Sequence, residues 1–507
     1  MIAYFVIVLI LLGIYYVYFK RELDFWKNKN VVSSRAIPFF GNYTGYILLK
    51  KCIHEVIEDL CRAFPSEPYI GAFYGTEPTL IVKDPEYIKR ILSKDFYYFN
   101  SREVADYSEK EAITKTLFFT HGDRWKVLRQ NLTPLFSSAK MKKMFHLIED
   151  CNNSLNALLE DVAKKTEFEV RSLMARYTID CIGSCAFGVN TEAMTSENNP
   201  FCVIGERIFD ASNSRGFKMV GRAIWPAVFY KLGLNLFPLE LTEFFKNMIT
   251  KVFEERQYRS SDRHDFVDLV LNLRQSKHLV GDSMKNLKGD GKKSVIEVDD
   301  DLLSAQCMLF FAAGFETSAT TLGFLLYELA KNPEKQEQAM KEVDEYFKNN
   351  KKISYECVFE TPYLDACINE TLRLYPVLGV LTREVVEDYT LGGVSLERGV
   401  RIHIPVLNLH KNPHYFPNPE AFRPERFLGV EKDKIKPFTY FPFGEGPRIC
   451  IGMRFAKMQM TAGLLTILKK CQIQLVENTA RNITFEPRAM TLQPAHGINL
   501  KLVLRKK

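Results

Sequence analysis

The chain has 507 residues, of which 46% are hydrophobic and 13% aromatic, and its formal net charge is +7 at pH 7. Length alone would allow about three domains, but no linker-like stretch interrupts the middle of the chain, so we expect one large domain behind a short N-terminal segment. Because the lysines and arginines are dispersed, the charge argues against nucleic acid as a partner and favours an acidic protein or a membrane surface. The eleven cysteines are odd in number and lack metal-ligand spacing, which indicates a reducing compartment with mostly free thiols.

Residues 1–19 are expected to form an uncleaved transmembrane anchor. Residues 2–19 are uncharged and just long enough to cross a bilayer core. A cleaved signal peptide is the alternative, but it would require a charged start, a shorter apolar run and a small-residue cleavage site. The positive charges that follow the run place the rest of the chain in the cytosol; they are Lys20, Arg21, Lys27, Lys29 and Arg35. The glycosylation sequons are then chance matches, because glycosylation needs the lumen; they lie at Asn42, Asn131, Asn152, Asn369 and Asn482.

Residues 20–41 are predicted to be a linker, and residues 42–507 a single globular domain. Within it, two short strands over residues 69–82 predict a β-hairpin. Residues 281–301 are polar and contain glycines, which predicts an exposed loop. The C-terminal residues 483–504 predict a second hairpin, with a proline and a glycine at its turn.

Helical periodicity dominates the middle of the chain. Residues 123–129 predict a helix with Trp125 and Arg129 on one face, for which a surface aromatic–cation pair is the simplest interpretation. Residues 141–274 predict one helix after another. Within them, the apolar stretch 223–245 contains two prolines and a glycine, so it is not expected to be one continuous helix.

A long helix is predicted over residues 301–330. It contains Ala313 and Gly314, small residues that would let another group approach the backbone closely. A glycine inside a helix costs about 1 kcal/mol relative to alanine, so its presence invites an explanation. Glu316 and Thr317 place an acid and a hydroxyl beside this gap. A packing site with a solvent-facing glutamate is the alternative interpretation.

A loop punctuated by glycines, residues 443–452, carries Cys450 just before an apolar-periodic helix at residues 451–470. Backbone N–H groups and the helix dipole at this position favour a thiolate over a thiol. Such a sulfur can be a nucleophile, a redox thiol or a metal ligand. No nearby cysteine completes a CxxC pair, and an axial thiolate on haem iron fits best, because it pushes electron density toward O–O cleavage.

This loop resembles the haem-binding signature of the cytochrome P450 superfamily, F-x-x-G-x-R-x-C-x-G, at Phe443, Gly446, Arg448, Cys450 and Gly452. The resemblance covers nearly the whole chain. The sequence around its motifs is most similar to that of insect microsomal members of the family-6-like, xenobiotic-metabolising group. It implies a mainly α fold with a small β-rich part, behind an N-terminal transmembrane anchor. It also implies haem b as the cofactor, with its iron bound by the Cys450 thiolate.

The resemblance assigns roles to further residues. Trp125 and Arg129 would bind one haem propionate, and Arg383 the other, with Arg448 of the loop assisting.

The long helix resembles the family's A-G-x-[DE]-T motif, in which Thr317 and Glu316 organise water and deliver protons to dioxygen. Glu370, Arg373 and Arg426 resemble the family's Glu–Arg–Arg network, which fixes the cysteine loop. Without that resemblance, Glu370 and Arg373 would be read as an ordinary exposed pair one helical turn apart.

The activity implied is insertion of one oxygen atom from O2 into a lipophilic substrate, with electrons from NADPH through a membrane-bound NADPH–cytochrome P450 reductase and optionally cytochrome b5. The implied location is the endoplasmic reticulum membrane, with the catalytic domain on the cytosolic side. Xenobiotics such as plant toxins or insecticides are the favoured substrates, and an endogenous hormone or fatty acid is the alternative. Two rivals differ in class: an O2-independent haem-thiolate isomerase, which Thr317 argues against, and a catalytically silent haem-binding protein, which the complete motif set argues against.

Three surfaces follow from family position. Residues 223–245 are expected near the bilayer. A basic group beside the cysteine loop would dock an acidic electron donor; it comprises Lys432, Lys434, Lys436, Arg454 and Lys457. The substrate pocket would be lined by Phe118, Phe119, Phe310, Ala313, residues 377–381 and Leu492.

Overall fold

The computed structural model describes residues 24–506, except residues 197, 260–264 and 286–290, together with Val6 and Gly13. The anchor predicted over residues 1–19 therefore lies outside the described residues, apart from these two. The fold is predominantly helical. Its α-helices are α1 Phe25–Asn28, α2 Thr44–Ile47, α3 Ile53–Ala63, α4 Pro85–Lys89, α5 Gly122–Leu132, α6 Ser138–Ala163, α7 Val170–Ile182, α8 Pro200–Ile208, α9 Asn213–Ile224, α10 Pro226–Lys231, α11 Leu239–Glu255, α12 Phe266–Ser276, α13 Asp300–Lys331, α14 Pro333–Asn349, α15 Cys357–Glu360, α16 Pro362–Leu374, α17 Val406–His410, α18 Gly429–Asp433 and α19 Met453–Lys470.

The strands form small sheets. They are β1 Tyr69–Tyr74, β2 Glu77–Val82, β3 Phe168–Glu169, β4 His278–Asp282, β5 Lys293–Glu297, β6 Leu381–Glu384, β7 Tyr389–Leu391, β8 Val394–Leu396, β9 Arg401–Ile404, β10 Cys471–Leu475 and β11 Asn499–Leu504. The largest sheet has the order β1-β2-β9-β6, and a three-stranded sheet has the order β10-β11-β3. Strands β4 and β5 pair with each other, as do β7 and β8. A mainly α fold with a small β-rich part is therefore confirmed.

The predicted hairpin over residues 69–82 is confirmed. Strands β1 and β2 are antiparallel, with Tyr74 opposite Glu77. Gly75 in the turn has φ of +64°, in the left-handed region that glycine adopts without strain.

Helix α13 is the centre of the core. The Asp299 side chain accepts a hydrogen bond from the Leu302 N–H (2.6 Å) and so caps its first turn. Pro333, at the start of α14, prevents its continuation. Among the described helices, α13 is the one long and apolar enough to cross a bilayer, but 78% of its apolar stretch is buried inside the protein. It packs against α7, α11, α16 and α19, and these contacts explain its apolar character.

The prediction of an exposed loop over residues 281–301 is wrong in part, because β4 and β5 form a hairpin before α13 begins at Asp300. The polar residues of this hairpin are anchored on α5. Gln130 donates to Asp282 (2.8 Å), and the Ser283 hydroxyl donates to Asp123 (3.1 Å). Hydrogen bonding to a neighbouring helix thus orders a sequence whose composition alone predicted a loop.

The apolar stretch 223–245 is broken as predicted: α9 ends at Ile224, α10 is short, and α11 begins at Leu239. The C-terminal hairpin differs in part from the prediction. An isolated bridge joins Phe485 to Pro494, so the turn lies between these residues, and β11 pairs with β10 instead.

Candidate active site

A cavity in the interior is lined by residues of the cysteine loop, of the A-G-x-[DE]-T motif and of the predicted propionate-binding set, but not by Glu370, Arg373 or Arg426. Helix α13 contributes Thr317, and strand β6 contributes Arg383. Nine of the ten predicted site residues line this cavity: Ala313, Gly314, Thr317, Trp125, Arg129, Arg383, Phe443, Arg448 and Cys450. The tenth, Glu316, does not. The fold thus brings together segments that are more than 300 residues apart in sequence.

The cysteine loop is held by its own backbone. The Cys450 N–H donates to the Phe443 carbonyl (2.8 Å), and α19 begins at Met453. Gly446 has φ of +70°, and a Cβ there would collide with the Leu92 carbonyl, so this turn requires glycine. The loop can therefore approach Leu92 closely, and it presents Cys450 to the cavity.

Cys450 is the one exposed cysteine of the eleven, and its exposed surface faces the cavity. Burial inside the protein raises the pKa of the Cys450 thiol, whereas the Gly452 N–H and the guanidinium groups of Arg129 and Arg102 lower it. The expected stabilisation of a thiolate by the loop is therefore present but is opposed by burial. A bound metal ion deprotonates a coordinating thiol outright, so this thiol fits a metal ligand.

Four guanidinium groups converge on the same cavity: Arg102, Arg129, Arg383 and Arg448. Arg129 donates to the Ile449 carbonyl (2.8 Å), and Arg448 donates to the Asn100 carbonyl (2.7 Å). Arg448 also lies 4.7 Å from the Trp125 ring.

Burial lowers the pKa of Arg383 to about 9 and that of Arg102 to about 10. Arg102 Nη1 and Arg383 Nε have no hydrogen-bond partner among the described residues. Buried, unpaired guanidinium donors require anionic partners, and two carboxylates would satisfy them. The site therefore fits a cofactor that carries two carboxylates and an atom that binds sulfur, as haem does.

Arg102 was missed by sequence reasoning. It lies in an irregular segment, where it stacks 3.8 Å from the Phe118 ring. An isolated bridge between Ser101 and Glu384 brings Arg102 beside Arg383. No local sequence pattern predicts that residues 101 and 384 pair.

The Thr317 hydroxyl donates to the Ala313 carbonyl one turn earlier (2.8 Å), and both residues line the cavity. Gly314 also lines it, but its absent side chain has a second explanation. A Cβ at Gly314 would lie 2.5 Å from Ile182 Cδ1, so close packing between α13 and α7 also requires a small residue here.

Glu316 is fully buried, so the interpretation as a solvent-facing glutamate is wrong. Its carboxylate accepts two hydrogen bonds from Arg171, at 3.1 and 2.6 Å, and others from Thr320 (3.1 Å) and Gln493 (2.8 Å). The Arg171 side chain is 27% exposed. Glu316 thus connects the interior to a partly solvated cation, and its assignment to proton delivery stays a prediction.

The Glu370 network is buried, so the interpretation as an exposed pair is wrong. Arg373 donates two hydrogen bonds of 2.8 Å to Glu370, and Arg426 donates one of 3.3 Å. Arg373 also donates to the His410 carbonyl (3.0 Å), and the His410 ring accepts from the Phe441 N–H (3.1 Å). The network therefore reaches the chain just before the cysteine loop.

The predicted apolar lining is partly confirmed. Lining residues are Phe118, Phe310, Ala313, Val377, Leu378 and Leu381. Phe119, Gly379, Val380 and Leu492 are not among them. Phe119 lies beneath the Arg222 guanidinium (5.3 Å), and the Leu492 N–H donates to the Val377 carbonyl from behind (2.9 Å).

Comparison with known proteins agrees with this geometry. The family model described as Cytochrome P450 matches residues 32–502. The chain is 37% identical to cytochrome P450 6B2 of Helicoverpa armigera over 99% of this chain and 98% of that protein. It is 35% identical to cytochrome P450 6k1 of Blattella germanica over 96% of this chain and 94% of that protein. It is 34% identical to cytochrome P450 6B1 of Papilio polyxenes over 98% and 99%. A cavity that joins a cysteine, four arginines and a threonine, in a chain matched over its length by this family model, establishes that the protein belongs to the cytochrome P450 family.

Proposed function

We propose that the protein is a monooxygenase that inserts one atom of O2 into lipophilic substrates, with Cys450 as the axial ligand of its haem. As a family member it binds haem b through a cysteine thiolate. One observation carries the proposal: Cys450, the four guanidinium groups and Thr317 line a single cavity. An O2-independent isomerase would not need a hydroxyl at the Thr317 position.

Each group in the cavity has a distinct task. The haem supplies the activation of O2. The residues that would hold the two propionates by hydrogen bonds, charge-assisted at the guanidinium groups, are Arg102, Arg129, Arg383 and Arg448, with Trp125. The Thr317 hydroxyl, on the cavity side of α13, holds a proton close to where O2 reacts. The apolar side chains of the lining exclude water and bind a lipophilic substrate.

The proposed substrates are xenobiotics such as plant toxins or insecticides, and an endogenous hormone or fatty acid is the second candidate. The apolar side chains that line the cavity support a lipophilic substrate.

The proposed electron source is NADPH through NADPH–cytochrome P450 reductase, with cytochrome b5 as an optional second donor. The basic group beside the cysteine loop supports docking of an acidic partner. Two of its lysines already form ion pairs, Lys457 with Asp365 (2.7 Å) and Lys434 with Glu431 (2.5 Å). Docking would therefore rely most on Lys432, Lys436 and Arg454.

We also propose that the protein acts at the endoplasmic reticulum membrane, with this domain on the cytosolic side. Exposed apolar side chains between α9 and α11 support contact with the bilayer; they are Trp225, Val228, Leu232, Leu234 and Leu239. Replacing Leu232 and Leu239 by serine should weaken binding of the domain to liposomes in a flotation assay. Unchanged flotation would refute this contact.

The test of function is turnover in membranes reconstituted with reductase, NADPH and isotopically heavy O2, over a panel of plant compounds, insecticides, terpenoids and fatty acids. Heavy oxygen in a product supports the proposal. Product formed without NADPH would favour the isomerase instead.

The residues are tested by matched pairs of variants. Cys450→Ala should abolish the thiolate spectrum of the reduced, CO-bound protein, whereas Cys185→Ala, at another cysteine of the cavity wall, should preserve it. Thr317→Ala should retain haem but divert electrons from NADPH into peroxide, whereas Thr321→Ala, one turn further on the same wall, should stay coupled. Normal coupling in Thr317→Ala would refute its role.

A further inference from the structure

Gln459 cross-links the helix that follows the cysteine to the helix that carries Thr317. It lies on α19, is fully buried and lines the cavity. Its Nε2 donates to the Gly314 carbonyl (2.9 Å) and to the Ser318 hydroxyl (2.6 Å) on α13. Because a carbonyl oxygen can only accept, the contact with Gly314 fixes the orientation of the Gln459 amide.

The two acceptors belong to residues close to Thr317 on α13: Gly314 lies three positions before it, and Ser318 directly follows it. In that turn the Ala313 carbonyl accepts from the Thr317 hydroxyl, and the Gly314 carbonyl accepts from Gln459. Side-chain donors on helix carbonyls weaken the backbone ladder and bend the helix locally. The conformation of this turn therefore depends on donors from outside the backbone. Two of these donors come from other helices: Gln459 of α19, and Thr178 of α7, whose hydroxyl donates to the Phe315 carbonyl (3.1 Å).

The backbone of Gln459 is also held in place. Its backbone carbonyl lies 2.9 Å from the Tyr177 hydroxyl, and Tyr177 is fully buried on α7. Both the main chain and the side chain of Gln459 are thus held by hydrogen bonds. The position of this turn of α13 is therefore fixed relative to α19.

We propose that Gln459 is a positioning residue for the monooxygenase reaction: its amide holds the Gly314–Ser318 turn at a fixed distance from the helix that follows Cys450. The inference rests on the proposed function. The cysteine loop and this turn both line the cavity that would hold the haem, so the amide sets the spacing between the Cys450 loop and the Thr317 hydroxyl. Misplacement of a reacting group by about 1 Å is enough to lower a rate on the order of a hundredfold.

The experiment compares Gln459→Leu with Thr461→Val. Thr461 is the matched control, because it lies on the same helix, is buried, and its hydroxyl has no hydrogen-bond partner among the described residues. In the resting haem-loaded proteins, amides of residues 314–321 should exchange about three- to tenfold faster in Gln459→Leu, as expected for the loss of one buried hydrogen bond. Thr461→Val should exchange like the wild type. This measurement does not require turnover, so it stands even if the proposed monooxygenase activity fails.

Under turnover, Gln459→Leu should lower the product formed per NADPH several-fold and release the difference as peroxide. Gln459→Glu adds a readout that a merely structural role would not move. A protonated glutamic acid can donate to the Gly314 carbonyl, whereas the ionised form repels it. Coupling in Gln459→Glu should therefore approach that of the wild type as the pH falls and decline as it rises.

Equal exchange and equal coupling in Gln459→Leu and Thr461→Val would overturn the proposal. Should Gln459→Leu fail to load haem, Ser318→Ala removes one of the two contacts and is tested in the same way. A partial increase in exchange across residues 314–321 is expected there, and its absence would also overturn the proposal.

Discussion

At the scale of single residues, the fold depends most on buried charges that share one partner. Glu370 accepts hydrogen bonds from Arg373, from Arg426 and from the Arg423 N–H. A surface ion pair of similar geometry contributes little, because water screens it. Inside the protein, removal of one partner leaves the other charges uncompensated.

Glu370→Ala should therefore lower the free energy of unfolding by about 3–5 kcal/mol. The control is Glu345→Ala, which removes an ion pair with Lys348 (3.3 Å) between side chains that are 64% and 72% exposed, and it should cost less than about 1 kcal/mol. Urea unfolding of both haem-loaded proteins measures the difference. Equal losses of unfolding free energy in the two variants would show that the buried Glu370 network contributes no more to stability than an exposed ion pair.

His410 makes stability depend on pH. Burial, and then the charge of Arg373, lower its pKa to about 3, so it stays neutral and accepts from the Phe441 N–H. The unfolded chain binds a proton at His410 below about pH 6.5, where the folded protein does not. Stability should therefore fall as the pH drops from about 6.5 towards 3, by up to about 1.4 kcal/mol per unit.

The contribution of His410 is isolated by His410→Gln, which offers an acceptor at a similar position without titrating. Unfolding measured between pH 7 and pH 4 should show a shallower loss of stability in the variant than in the wild type. Parallel curves would exclude His410 as a source of this dependence.

Most site residues could be predicted one at a time, because their motifs are local in sequence. Nine of the ten line the cavity. Glu316 could not be oriented, because its partner Arg171 lies 145 residues away. Arg102 could not be found, because it is placed by a single bridge between an irregular segment and the distant strand β6 rather than by any periodicity.

At the scale of elements, one carboxylate joins the segment before α5 to the chain around α10. Glu111 is buried, and it accepts from the Tyr230 hydroxyl (3.0 Å) and from the Leu236 N–H (3.0 Å). Arg222 of α9 lies 3.9 Å from the same carboxylate. Phe118 and Leu117, close along the chain, line the cavity, so this contact couples the cavity wall to α9 and α10.

Glu111→Ala should loosen that contact. We expect faster amide exchange across residues 222–238 and release of a haem-bound azole ligand up to about tenfold faster. The reason is that the Tyr230 hydroxyl and the Leu236 N–H lose their acceptor, and the buried Arg222 guanidinium loses its counter-charge. Glu109→Ala is the control, since Glu109 pairs with Arg124 in the same segment but is 54% exposed. Stopped-flow displacement measures the release, and equal rates in both variants would contradict the coupling.

Elements with a strong internal period could be predicted from sequence, and those stabilised by a neighbour could not. Helix α13 was placed to within one residue at each end, because its period and its flanking signals agree. The β4–β5 hairpin was expected to be a loop, since its polar residues signal strand only once α5 supplies their hydrogen-bond partners. The C-terminal turn was misplaced because β11 pairs with β10, not with the chain just before it.

At the scale of the whole molecule, the cofactor is expected to act as a cross-link. The four cavity arginines come from the segment before α5, from α5, from β6 and from the cysteine loop. Burial, and then the charges of the three neighbouring arginines, lower the pKa of Arg448 well below its usual value, so these guanidinium groups repel one another. Two propionates would turn that repulsion into attraction.

Haem loading should therefore stabilise the protein through its carboxylates as well as through the Cys450 sulfur. Ligand at a thousandfold excess over its dissociation constant adds about 4 kcal/mol. Haem whose propionates are esterified should add less, because it cannot form the charge-assisted hydrogen bonds. The rate of haem transfer to an acceptor protein measures retention in both cases.

Arg102→Ala assigns this effect to a single residue. The variant should release free-acid haem faster than the wild type does, because Arg102 has an unpaired, buried Nη1 that faces no other acceptor among the described residues. With esterified haem, the wild type and Arg102→Ala should release at similar rates, since there is no carboxylate for the guanidinium to hold. Faster release of both forms by the same factor would mean that Arg102 acts through packing against Phe118 and does not bind a propionate.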